Sequence, residues 1–143
     1  MKTKGCRVLS IILAAAVLAA MRLVDAVKPY SVHIGVGEDF GRMYATRIGA
    51  RGEKDNILLG ETVIQADYME DKEAGKDQVA ITAGVYGGLK SEAVVLAKQF
   101  TKVDDNVFVA TIGFTEYMRN LTLSQQQKNT TAGNYNKAWG DLL

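Results

Sequence analysis

The chain has 143 residues, 17 Lys+Arg against 16 Asp+Glu, and only one Cys, one His and one Pro. At about 150 residues per domain this is one domain. The single Cys excludes disulfide frameworks and Cys-ligated zinc, and the near-neutral charge supplies no basic face for nucleic acid.

Residues 1–26 read as a secretory signal. Lys2, Lys4 and Arg7 form a positive start, and Val8 to Met21 is apolar apart from Ser10. Val24-Asp25-Ala26 then places small residues where a signal peptidase cuts, which predicts cleavage between Ala26 and Val27. A membrane anchor is the competing reading. A spanning helix needs roughly 20 apolar residues, and Arg22 interrupts this run before that length. Cleavage also removes Cys6. It takes four bases (Lys2, Lys4, Arg7, Arg22) and one acid (Asp25), leaving 13 Lys+Arg against 15 Asp+Glu, a net charge of −2. The expectation is a secreted, extracellular, disulfide-free protein with no membrane contact after cleavage.

Along residues 27–118, glycines punctuate short β-branched runs, the pattern of an antiparallel all-β domain. Val32–Val36, Met43–Ile48, Ile57–Ala66 (bent at Gly60), Gln78–Tyr86 and Asn106–Phe114 are the predicted strands. In the last, Phe108, Ala110, Ile112 and Phe114 share one face and Val107 and Val109 the other, as in a central strand covered on both sides. Ser91–Phe100 fits a helix through Ala93, Leu96, Ala97 and Phe100, but Gly87-Gly88 and Asp104-Asp105-Asn106 look like flanking hairpin turns, so it is read as a strand. The charged stretch Glu70–Asp77 is read as a solvated loop, since it lacks the ligand order of a calcium loop. Residues 119–143 are read as a polar, flexible tail, with Trp139, Leu142 and Leu143 available to dock. The expected fold is a small antiparallel β-sandwich or barrel-like domain.

No catalytic constellation stands out, and no cofactor or metal is expected. His33 is the only imidazole and is read as a structural or surface residue. Gly35-Val36-Gly37-Glu38-Asp39-Phe40-Gly41 places its third glycine one residue late for a dinucleotide fingerprint, and no amphipathic helix follows it. Glu38 or Asp39 with Glu61 or Asp67 would supply a carboxylate pair, enough for glycoside hydrolysis. Asn120-Leu121-Thr122 and Asn129-Thr130-Thr131 match the N-glycosylation pattern at Asn120 and Asn129.

His33-Ile34-Gly35-Val36-Gly37, Gly41-Arg42-Met43, Gly87-Gly88, Val94-Val95-Leu96 and Phe108-Val109-Ala110-Thr111-Ile112 resemble, in order and spacing over about 33–114, the insect family described as multiprotein bridging factor 2-like or "probable salivary secreted peptide". The family's Asp between Gly and Arg is absent here, and Phe100–Val107 carries Lys and Asp where its Gly-rich turn stands. The resemblance implies a secreted, β-rich insect protein. The sequence thus predicts a non-enzymatic, secreted domain that acts by binding an unknown protein or a small apolar ligand in a fluid such as saliva, venom or haemolymph. A carrier of small apolar ligands in a β-barrel or sandwich cavity and a small carboxylate-based hydrolase are the alternatives.

Overall fold

A computed structural model describes the backbone of residues 4–142, and the side chains of residue 5 and residues 7–130. It corrects the fold class. Helix makes up 55% of the chain and strand 20%, so the fold is mixed α/β and neither a sandwich nor a barrel.

Helix α1 (Lys4–Val27) comes first and a 3-10 turn at Lys28–Tyr30 closes it. Strand β1 (Val36–Glu38) follows, then a hairpin of β2 (Tyr44–Ile48) and β3 (Asp55–Leu59). Helix α2 (Glu61–Tyr68) runs on into a π-helical turn, Met69–Glu73. The chain continues through β4 (Val79–Thr82), α3 (Ala83–Glu92), α4 (Val94–Ala97), β5 (Thr101–Asp104), β6 (Val107–Ala110) and α5 (Phe114–Leu142).

The main sheet has the order β1-β4-β6-β5, with β1 parallel to β4 and the other two pairings antiparallel. The register, Val36 beside Val79 and Ile81 beside Phe108, turns Val36, Val79, Ile81, Phe108 and Ala110 to one face. That face carries the main core, where Leu13, Val17, Met21 and Val24 of α1 meet Val85 and Leu89 of α3, Leu96 of α4 and Tyr117 of α5. Tyr86 stacks on Phe108, ring centroids 4.0 Å apart. The opposite face holds a smaller cluster of Met69, Ala80 and Val107 beneath α2 and the π turn. Gly37 is needed there, because a Cβ would collide with the backbone of Ala66 and Glu70.

The strand expected at 106–114 is the interior strand β6, covered on both faces but ending at Ala110. Other expectations fail for identifiable reasons. Ile57–Ala66 is no single strand: Gly60 adopts φ +142°, which ends β3 and starts α2. Gln78–Tyr86 leaves the sheet at Thr82, where the Asn106 side chain accepts from the Ala83 N–H (3.1 Å) and caps α3. Ser91–Phe100 is helical through α3 and α4, and Gly87-Gly88 lies inside α3 rather than in a turn. The supposed flexible tail begins within the long helix α5.

Residues 1–26 also have a structural role that the signal reading did not foresee. Val17 and Met21 are fully buried and Val24 is 1% exposed. Asp25, read as part of the cleavage motif, accepts from the Thr115 N–H (3.1 Å) and so caps α5 across 90 residues of chain. Arg22 lies 5.2 Å from the Phe114 ring centroid. Cleavage between Ala26 and Val27 would remove all of these groups. By length and composition alone, Arg7–Tyr30 is apolar enough to cross a membrane, with mean hydropathy 2.2, and Ile11, Ile12 and Leu23 are exposed on its outer face.

Candidate interaction surface

The β2–β3 hairpin is an arm. Its strands pair with each other from Tyr44 beside Leu59 to Ile48 beside Asp55 and join no other strand. Nine of its ten strand residues are exposed and Ile57 is half-buried. Tyr44, Thr46 and Ile48 share a face with Leu59 and Ile57, and Ala45 and Arg47 share the other with Leu58 and Asn56. Tyr44 is 78% exposed, Ile48 57%, and Leu58 and Leu59 52% each. On the second face, Arg47 Nε donates to Asn56 Oδ1 (3.1 Å) beside a shallow open depression lined by Ala45, Thr46, Arg47, Asn56 and Leu58.

The arm's base is anchored by polar contacts. The Thr82 hydroxyl donates to Asp39 Oδ1 (2.6 Å), holding the chain where it leaves β1. The buried Thr62 hydroxyl donates to the Arg42 carbonyl (3.1 Å), tying the first strand's entry to α2. The Gly60 carbonyl, at the arm's exit, accepts from the Val63 N–H (3.1 Å). An isolated two-stranded hairpin is marginal in water; these contacts direct it away from the body.

Glu38 precedes the arm at the end of β1. It faces the main core beside Ile81, and burial pushes its carboxyl up to about 7. Its neighbour Asp39 is held by Thr82, and Glu61 accepts from Gln65 Nε2 (3.0 Å) one turn along α2. Each of those two acids has a structural partner of its own. No group of three or more His, Cys, Asp or Glu residues able to hold a metal occurs among the described residues.

His33 is exposed, its Nδ1 2.9 Å from Asp77 Oδ2. Gly35 to Asp39 lead through β1 into the arm, and the next helix begins only at Glu61. Glu70–Asp77, read as a loop, is half π turn. Asn120 and Asn129 both lie in α5; the Asn120 amide donates to Gln99 Oε1 (3.2 Å), while Asn129 is exposed. Ala26 and Val27 are the last residues of α1. The side chains of Trp139, Leu142 and Leu143 lie outside the described residues. The four-stranded sheet is open and forms neither the barrel nor the sandwich expected from the sequence. The arm was not legible in the sequence, because apolar residues on both faces of Asp55–Leu59 are equally the pattern of a strand covered on both sides.

Comparison with family models, with curated proteins and with solved structures gave no match.

Proposed function

We propose that this protein acts by docking to another polypeptide through the β2–β3 arm. One observation carries the reading: Tyr44, Ile48 and Leu59, on one face of the arm with Ile57 between them, are each more than half exposed. Single exposed apolar residues are ordinary, whereas a contiguous patch marks an interaction surface. The tyrosine suits such a site, having a large apolar body with a polar tip. The polar anchors at Thr62 and Asp39 support a pre-set arm, which lowers the ordering cost of binding.

In the same reading α1 is a retained element of the fold. Its buried stripe and the Asp25 cap favour this over its loss as a secretory signal.

The test is a photo-activatable phenylalanine analogue in place of Tyr44, irradiated in the cells that make the protein. A covalent adduct with a second polypeptide chain is expected. An analogue that reacts only with solvent would sink the docking role.

A further inference from the structure

We infer that the outer face of α1 lies on the surface of an anionic lipid bilayer, with the helix axis in the membrane plane and the inner face still in the core. This surface is separate from the arm, and the inference rests on the retained α1 proposed above.

Helix α1 is apolar on both sides, and one side alone has a partner within the chain. Leu13, Val17, Met21 and Val24 fill the core. Val8, Ile12, Ala15, Ala19 and Leu23 recur at the spacing of the opposite face. Val8 is 56% exposed, Ile12 58% and Leu23 51%, with Ile11 beside them at 64%. Among the described residues of α1, every exposed side chain is apolar except Arg7 and Arg22. A surface helix of a globular domain ordinarily turns charged and polar residues outward, and this one does not.

Cations bracket the apolar face. The Arg7 side chain at one end is 69% exposed, its Nε 3.9 Å from Glu92 Oε1. Arg22 is exposed in the outer row between Ala19 and Ala26, its guanidinium 5.2 Å from the Phe114 ring centroid. At 1.5 Å per residue the two arginines stand about 22 Å apart along the axis. Residues 1–28 carry Lys2, Lys4, Arg7, Arg22 and Lys28 against Asp25, a net charge of +4. Residues 29–143 carry 12 Lys+Arg against 15 Asp+Glu, a net charge of −3. Asp25 is itself taken up by Lys28 and the Thr115 N–H. Of the neighbouring helices, α3 carries Lys90 with Glu92 and the start of α5 carries Glu116 with Arg119, so neither offsets the excess.

This combination selects lipid over protein. Between Arg7 and Arg22 the exposed face offers no side-chain hydrogen-bond donor or acceptor, whereas protein interfaces carry about one hydrogen bond per 100–200 Å². A second copy laid along α1 sets Arg7 against Arg7 if parallel and Arg7 against Arg22 if antiparallel, so like charges meet either way. Acyl chains need no hydrogen bonds, and anionic headgroups meet the cations at both ends. The buried stripe decides the orientation. A spanning helix surrounded by lipid would strip Leu13, Val17 and Met21 from the core, while a helix lying in the interface immerses its outer side alone.

The test is flotation of the full-length chain with lipid vesicles, its intact mass confirming that α1 is present. Vesicles of phosphatidylcholine alone are compared with vesicles containing about one quarter phosphatidylserine. At low salt the anionic vesicles are expected to bind at least roughly tenfold more tightly, and high salt to remove most of that preference. Ile12→Gln with Leu23→Gln is expected to lose at least about tenfold of the affinity. Each cation near such a surface contributes about fivefold, so Arg7→Gln with Arg22→Gln is expected to lose at least about tenfold and to narrow the preference for phosphatidylserine. All four positions are exposed, and circular dichroism checks that each variant folds. Ile64→Gln, at a position 61% exposed on α2, is expected to bind as the unaltered chain does.

An unaltered chain that ignores anionic vesicles overturns the inference, whatever the Tyr44 analogue captures. So does binding that the α1 variants retain in full. Amide exchange of the vesicle-bound chain reads the orientation: β4 and β6 are expected to stay as protected as in solution, and loss of that protection, as spanning would cause, overturns the in-plane placement. A dimer that Ile12→Gln disperses, in place of vesicle binding, gives the face to a second copy and also overturns the inference. A chain recovered from its cells with Val27 as first residue overturns the retained helix and this inference with it, a failure that the vesicle assay on the full chain does not share.

Discussion

Glu38 and Asp25 show how placement reverses the effect of the same functional group. Glu38 is held under the core face with burial alone acting on it, and its carboxyl rises from 4.5 to about 7. The folded state therefore binds this proton more tightly than the unfolded chain. Its ionisation costs stability as pH rises from 4.5 to 7, by about 3 kcal/mol at the upper end. Glu38→Gln is expected to raise stability at pH 8 and to flatten the profile between pH 4.5 and 7. Urea unfolding across that range measures it, and an unchanged slope would refute it. Burial also acts to raise the Asp25 carboxyl, but the Thr115 N–H and the Lys28 ammonium (3.3 Å) outweigh it, and the net shift is downward. That stabilisation is present above pH 3.8 and is lost as pH falls through the folded value. Asp25→Ala removes the α5 cap and is expected to cost about 1 kcal/mol, read as a lower urea midpoint at pH 7 with the loss shrinking in acid. Neither role was legible in the sequence. Glu38 is read there only as one member of a possible carboxylate pair, and the partner of Asp25 is 90 residues away.

Among the elements, the arm depends most on contacts outside itself. Its strands were legible from β-branched alternation at Tyr44–Ile48, and the turn from Gly49 and Gly52, both at positive φ. Its departure from the sheet was not, because period-2 alternation specifies a strand without saying what covers it. Thr62→Val removes the hydroxyl that holds the Arg42 carbonyl, a loss of about 1 kcal/mol. The expected outcome is faster amide exchange across residues 44–48 and 55–59 with β4 and β6 unaffected. Equal protection in both proteins would show that Thr62 does not anchor the arm. The misreading of Gln78–Tyr86 as one strand has a specific cause. Val79–Thr82 and Ala83–Glu92 form one unbroken apolar-rich stretch, and the side chain that divides strand from helix, Asn106, comes from a distant turn.

At the scale of the whole molecule, the first helix decides whether a core exists. Leu13, Val17, Met21 and Val24 are each nearly or fully buried in the main cluster. At about 1.5–3 kcal/mol per buried side chain, losing them removes roughly 6–12 kcal/mol, comparable to the entire stability of a domain, about 5–15 kcal/mol. A chain starting at Val27 is therefore expected to lose cooperative thermal unfolding, as followed by circular dichroism and calorimetry. A sharp transition in that truncated chain, with native helix content in the remainder, would show α1 to be dispensable.

By itself the sequence determined where apolar periodicity lies: a long apolar segment at 8–21 and strands expected over 43–48 and 106–114. Tertiary structure decided what each stretch packs against. An apolar helix satisfies the composition of a signal, a membrane span or a core helix equally well, because hydrophobicity has no direction. In the structure Leu13, Val17 and Met21 lie in the main core with Val85 and Leu89 of α3 and with the sheet residues Val79 and Ile81. The arm illustrates the converse: its residues are those of a buried strand, and only the position of the main sheet leaves them outside it.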